Sequence, residues 1–242
     1  MGECSITILT ASHMNLSGLK KIYVEIESVL IEKCRWIVKD SGYCEDTFKW
    51  INDLNNPNIT FAFERDSGIY DALNFCIKKC KSEFYIVVGT DDFIFRRSLL
   101  EIISNVESGK YNDADVVVFP VIKSNKIVFR NYFAPLNLSI SRIISSHSVG
   151  AMIRSNLHKR FGFYDVSYKI LADSFFIRKI KLHKVNFMYE SKLIAGIFGA
   201  EGISSVSHKL RVEEAYKYNI ELGSNKLIQK IYRFLRKCKY RI

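Results

Sequence analysis

A chain of 242 residues is long enough for one continuous α/β core or two small ones. Its 48% hydrophobic content and three prolines exclude a disordered or low-complexity protein. The net charge of +11 is uneven: residues 225–242 hold seven Lys/Arg and no Asp/Glu, so the remaining chain is only mildly basic. In chain order, residues 5–11 (SITILTA) read as a buried strand ended by Ser12, His13 and Asn15. Leu19, Ile22, Tyr23, Ile26, Val29 and Leu30 then recur at helical spacing, with a cap expected near Ser17. Residues 35–39 (RWIVK) form the next strand, closed by Asp40, Ser41 and Gly42. This β-α-β order predicts a parallel sheet. The dinucleotide fingerprint G-x-G-x-x-G is absent after the first strand.

A short helix is expected over 47–54, then turn residues and a third strand over 59–63. Residues 64–93 (ERDSGIYDALNFCIKKCKSEFYIVVGTDDF) follow: a charged turn, an amphipathic helix over 69–81, and a strand running into Gly89, Thr90, Asp91 and Asp92. Further on come a helix over 96–107, strands over 114–119 and 126–133, and a polar connection over 139–146. A short strand over 150–154, a helical turn over 157–161 and a helix over 173–183 precede strands over 185–189 and 192–198. Helices over 208–222 and 225–238 complete the pattern. The six cysteines show no paired spacing, which fits reduced thiols in a cytosolic protein better than a zinc knuckle or disulfide framework. No apolar run reaches membrane-spanning length, and no signal peptide is expected.

Ligands of open α/β sheets bind outside the carboxyl ends of strands, where Asp91 and Asp92 stand. Adjacent carboxylates repel unless a positive charge sits between them, and a divalent cation carrying a phosphate meets that need. The plainer alternative is a strand-to-helix loop with a capping aspartate. A nucleotidyltransferase could also use such a pair, but TASHMN at 10–15 is not a glycine- and lysine-rich triphosphate loop. A nucleic-acid-binding protein would interleave basic and aromatic residues over one face. Here the excess lies in the tail, so no nucleic acid is expected as partner.

Several stretches resemble the family 2 glycosyltransferases of GT-A fold, in particular the bacterial branch that builds surface polysaccharides and O-antigens. SGIYDALN at 67–74 is similar to that branch's D-x-G-I-Y-D-A-M-N, and GTDD at 89–92 to its N-A-D-D form of the DXD metal site. ITILTAS at 6–12, WIVKDSGYCEDT at 36–47, SHSVGAMIR at 146–154 and YDVSYKILADSFF at 164–176 match further segments in the same order. The resemblance implies a Rossmann-like, mostly parallel central sheet with helices on both faces. It implies an inverting transfer from a nucleoside-diphosphate sugar, UDP-sugar first, to a saccharide or lipid-linked acceptor. Thr10, Asp40 and Asp66 would lie beside the nucleotide, with Asp71 shaping its pocket. Asp91 and Asp92 would hold Mg²⁺ or Mn²⁺, Asp92 the more direct ligand. Asp173 would be the general base, and His147 would line the acceptor side or contact the diphosphate. Gly89 in place of Asn or Asp, Ser67 in place of Lys, and the shortened ADSFF at 172–176 depart from the family pattern.

Read alone, Asp173 is an acid at a helix N-terminus, His147 a loop histidine, and Arg154 either a phosphate contact or a solvated strand end. Residues 1–210 are expected to form the transferase domain, with a nucleotide-sugar half (1–120) and an acceptor half (121–210). Residues 211–242 would add C-terminal helices. In the last of these, Leu227, Ile228, Ile231, Phe234, Leu235 and Cys238 share one face and basic residues fill the rest. Such a helix reads as lying on an anionic membrane, at the inner face of the cell membrane, or as a terminal helix packed on the body.

Overall fold

The structure is a computed structural model, and it describes residues 4–30, 33–129, 148–199 and 207–242. The chain opens with β1 (Ile6–Ser12), α1 (Leu16–Ile26), β2 (Cys34–Asp40), α2 (Glu45–Asp53) and β3 (Ile59–Phe63). Next come α3 (Ile69–Lys79), β4 (Phe84–Val87), β5 (Phe93–Ile94), α4 (Arg96–Glu107), β6 (Val116–Val118), β7 (Val121–Lys123) and β8 (Lys126–Val128). Then follow β9 (Ala151–Arg154), α5 (Leu157–Phe161), α6 (Ala172–Lys181), β10 (Phe187–Tyr189), β11 (Gly196–Ile197), α7 (His208–Glu221) and α8 (Lys226–Tyr240).

Seven strands form the main sheet in the order β10-β6-β9-β4-β1-β2-β3. Neighbours run parallel except β9, which is antiparallel to both β4 and β6. Ile6 to Thr10 of β1 are buried without a break, as a central strand covered on both faces requires. On one face, Leu19, Ile22 and Ile26 of α1 and Leu99, Ile102 and Ile103 of α4 pack on Ile8, Trp36 and Ile86. On the other, Leu73 and Ile77 of α3 and Phe176 and Ile180 of α6 pack on Leu9 and Tyr85. Helices therefore cover both faces, as the sequence leads one to expect.

A smaller sheet, β5-β11-β7-β8, stands beside the first. Its pair β5–β11 is antiparallel, which carries the residues after Ile197 back to the Asp91–Asp92 loop. Helix α1 is capped by Asn15, whose side chain accepts from Gly18 N at 2.9 Å, and not by Ser17. The strand expected over 192–198 is reduced to Gly196–Ile197. Of that expected over 126–133, only Lys126–Val128 is strand among the described residues, and 130–133 lie outside them.

Ala215 and Tyr218 of α7 belong to the second core, whereas α8 rests on α7 and adds only Gln229 to the buried residues. All six cysteines are free thiols. No helix among the described residues is long and apolar enough to cross a membrane.

Candidate active site

At the carboxyl end of β4 the chain folds into a tight loop around Asp92. The Asp92 Oδ2 accepts from Gly89 N at 2.9 Å and from the Ser148 hydroxyl at 2.5 Å, and Oδ1 accepts from Gly199 N at 2.9 Å. Burial still dominates and pushes this carboxyl up to about 6, against the lowering effect of those donors. Asp91 beside it is exposed. A Cβ at Gly199 would come within 2.5 Å of Asp91 Oδ2, so only glycine lets that strand end close on the loop. A Cβ at Gly89 would meet carboxylate oxygens, Asp91 Oδ1 at 2.9 Å and Asp92 Oδ2 at 3.1 Å. Ser148 holds a φ of +63°, an uncommon value for a non-glycine residue, where its hydroxyl meets Asp92.

A cavity of about 180 Å³ opens from this loop. Asp91 and Asp92 line one end, and Asp173, in the first turn of α6, lines it from another element. Most of the remaining wall is apolar, including Ala11, Leu73, Ile153, Ile170 and Ile177. Buried Tyr70 of α3 reaches the same place. Its hydroxyl lies 2.9 Å from Asp173 Oδ1 and 2.5 Å from the Ile170 carbonyl, and can donate to either. Burial, then the Asp173 charge, raises the Tyr70 phenol well above its ordinary range, so it remains a donor.

Two segments about a hundred residues apart interlock here. Asn74 Nδ2 donates to the Tyr164 carbonyl and Asn74 Oδ1 accepts from Tyr164 N, at 2.8 and 2.9 Å. Lys169 Nζ donates to the Ser67 carbonyl at 3.1 Å. The carboxylate of buried Glu214 in α7 accepts from the amides of Lys169, Ile170 and Leu171 at 2.6, 3.0 and 2.9 Å, fixing the turn that leads into Asp173. Neither Glu214 nor Ser148 was visible as a site residue. Glu214 bonds backbone amides, which have no sequence signature; Ser148 sits within SHSVG at 146–150 beside a histidine, the residue there with the more recognisable chemistry.

The other sequence-derived residues divide. Asp40 is buried at the end of β2, and its Oδ1 accepts from Met14 N and Gly42 N. Asp40 Oδ2 has no partner among the described residues, nor has Ser12 Oγ, its register neighbour on β1. Exposed Phe63, in register with Asp40 on β3, carries the rings of Tyr43 and Phe48 at 5.0 and 5.7 Å. Thr10 does not face this edge and is corrected here. It is fully buried, donates to the Val88 carbonyl at 2.9 Å and accepts from Trp36 Nε1 at 3.0 Å, so both hydroxyl functions are consumed by the core.

Asp66 sits in the loop before α3 and Asp71 in its first turn, and neither lines the cavity. Asp66 accepts from Gly68 N, and burial raises its carboxyl. Asp71 accepts from the amide and hydroxyl of Ser67, and that amide lowers its carboxyl. Buried Lys39 Nζ donates to the Glu64 carbonyl on the same edge. Arg154 lies at the opposite end of β4, pairing with Glu83 and the carbonyls of Asn112 and Ala114, so it is a buttress and no phosphate contact. His147 lies outside the described residues.

Among the described residues, no three His, Cys, Asp or Glu side chains gather in a metal cluster. Asp91 and Asp92 nevertheless fit a hard cation that takes its remaining ligands from water and phosphate, since Mg²⁺ is held by one or two carboxylates in such sites. Asp91 offers the open carboxylate. Asp92 has three protein donors on its oxygens, leaving a lone pair on Oδ1.

This architecture is shared with TarS of S. aureus, whose structure superposes with a TM-score of 0.66 at 17% identity over 93% of this chain and 41% of that one. The fold is GT-A. A TarS structure comprising residues 1–349 in complex with UDP-GlcNAc matches at 0.65 and 15% identity, over 93% of this chain and 69% of that one. An uncharacterised glycosyltransferase of Rickettsia typhi is 24% identical over 212 residues, covering 82% of this chain. The chain spans 63% of the length of that curated relative. No family model matches the sequence. Within the GT-A fold, the cavity lies at the carboxyl end of β1 and β4, the edge where open α/β sheets take their ligands.

Proposed function

We propose that the chain is an inverting, metal-dependent glycosyltransferase. It moves a sugar from a nucleoside-diphosphate sugar, a UDP-sugar in particular, to a saccharide acceptor, lipid-linked, in cell-surface polysaccharide synthesis. The observation that carries this reading is the single cavity in which the strand-end pair Asp91–Asp92 and Asp173 of a separate helix meet. The TarS structures with UDP and UDP-GlcNAc, and the Rickettsia typhi relative, support a nucleotide-sugar donor.

In this reading the free oxygens of Asp40 and Ser12 take hydrogen bonds with the nucleoside, and the rings of Tyr43 and Phe63 offer its base an apolar shelf. Asp91 and Asp92 would hold a Mg²⁺ or Mn²⁺, which when bound would supply positive charge for the leaving diphosphate. Asp173 takes the proton of the acceptor hydroxyl. That oxygen bonds to the anomeric carbon as the bond to the diphosphate oxygen breaks, inverting the centre. General-base help of this kind is worth ~10²–10⁴-fold. Tyr70 and Ser174 N, both bonded to Asp173 Oδ1, hold the carboxylate in place. The apolar wall keeps water from competing with the acceptor.

A panel of nucleotide sugars, scored for thermal stabilisation and metal-dependent turnover, tests the reading. Asp173→Asn should lower kcat by ~10²-fold or more while keeping donor stabilisation. EDTA or Asp91→Asn should remove turnover and weaken donor stabilisation. Full activity in EDTA, or retention at the anomeric carbon, would sink the mechanism.

A further inference from the structure

Helix α8 is mounted on the body by its polar side. Asn219 of α7 donates to Gln229 Oε1 at 3.1 Å in a buried contact. Glu213 pairs with Arg233 and with Lys237, each at 2.7 Å. Tyr240 stacks on His208 with ring centroids 4.3 Å apart, and the Arg233 guanidinium lies over the Tyr216 ring at 5.0 Å. At 3.6 residues per turn, Gln229, Arg233 and Tyr240 share one side of the helix, nearly opposite Leu227, Ile231, Phe234 and Cys238. The apolar side is consequently turned outward. Leu227 is 68% exposed, Ile231 52%, Phe234 66% and Leu235 54%. Surface helices of globular domains ordinarily bury this side and show the polar one.

We propose that this outward face is a docking surface for an anionic lipid bilayer, with α8 lying in the interface plane. The four exposed apolar side chains would enter the acyl boundary, and α7 would hold the helix from behind. Charge selects this occupant. Residues 225–242 contain seven basic and no acidic residues. Among the described residues, Glu213 pairs with Arg233 and Lys237 of these. Exposed Lys226 and Lys230 flank the apolar stripe on one side and Lys239 on the other, where their stems can run along the stripe and their ammonium groups reach phosphate. A second copy of the chain would bring two such basic helices face to face, which repulsion opposes. The inference is independent of the sugar-transfer reading, since vesicle binding needs no turnover.

The test is co-sedimentation of the 242-residue chain with phosphatidylcholine vesicles, with and without phosphatidylglycerol. The chain should sediment with the anionic vesicles, and high salt should release part of it, because screening weakens attraction to lipid while apolar insertion persists. Leu227→Ser/Ile231→Ser/Phe234→Ser changes only exposed positions and should cut binding about tenfold or more. Lys226→Gln/Lys230→Gln/Lys239→Gln should cut binding to anionic vesicles by about fivefold per lysine. Absence of sedimentation with anionic vesicles, or unchanged binding by the Ser variant, would overturn the proposal. So would a lipid-free dimer, seen by light scattering, that the Ser variant dissolves, because it would assign the face to a second copy.

Discussion

The phenol of Tyr70 stands 2.9 Å from Asp173, and it belongs to the segment SGIYDALN, whose resemblance to known transferases rests on its letters alone. The structure supplies a physical reason for the tyrosine: a buried hydroxyl that bonds a carboxylate on another element. Tyr70→Phe keeps the ring and its edge contact with Tyr164 while removing that donor. We expect kcat to fall several-fold, less than the ~10²-fold or more for Asp173→Asn, with donor stabilisation unchanged. Unaltered kcat, measured at saturating donor and acceptor, would show that the hydroxyl serves the Ile170 carbonyl and not Asp173. Thr10 teaches the converse. A polar residue at the end of a strand is a reasonable ligand contact until the structure shows its oxygen bonded to Trp36 and Val88 in the core. Sequence carries the identity of a polar group, but only packing decides which way it faces.

At the scale of elements, the β1-α1-β2 unit and the α3-β4 unit were legible because their apolar spacing is sustained over whole turns or strands. β5, β7 and β11 were not legible as the structure draws them. Each has two or three residues and exists because a neighbour pairs with it, not because its own pattern demands a strand. The amphipathic period of α8 was legible, yet the side on which it docks depends on Glu213 and Asn219 of another helix. Helix α7 likewise gains its role through Glu214, which gathers three consecutive amides ahead of α6. Glu214→Ala leaves those amides without their acceptor at a cost of about 2–3 kcal/mol. The melting temperature should drop, and kcat should drop with it, because the turn sets the position of Asp173. Donor stabilisation should survive at temperatures where the variant is folded. A variant that melts earlier but turns over normally at low temperature would separate the turn from the chemistry.

Across the whole molecule, the sheet divides the interior into two cores, and His158 lies in the one behind the cavity. Its Nδ1 donates to the Gly162 carbonyl at 3.1 Å, so its Nε2 accepts from the Tyr85 hydroxyl at 2.7 Å. The ring stacks on Phe176 of α6 at 4.3 Å between centroids, so β4, α5 and α6 all press on one neutral imidazole. Burial lowers its pKa to about 4, against the smaller raising effect of the Gly162 carbonyl. The unfolded chain binds this proton below an ordinary pKa of about 6.5, while the folded chain resists it down to about 4. The contribution is therefore complete above about pH 6.5 and is lost as the pH falls toward 4, a change of about 3 kcal/mol at most. Urea midpoints at pH 7 and at about pH 4.5 should differ for the wild-type chain by more than its carboxylates alone would give. His158→Phe removes the titrating group. It should be less stable than wild type at pH 7, where Tyr85 loses its acceptor, but should lose less of its remaining stability on acidification. Parallel pH profiles for the two proteins would show that His158 is not the group whose protonation opens this core.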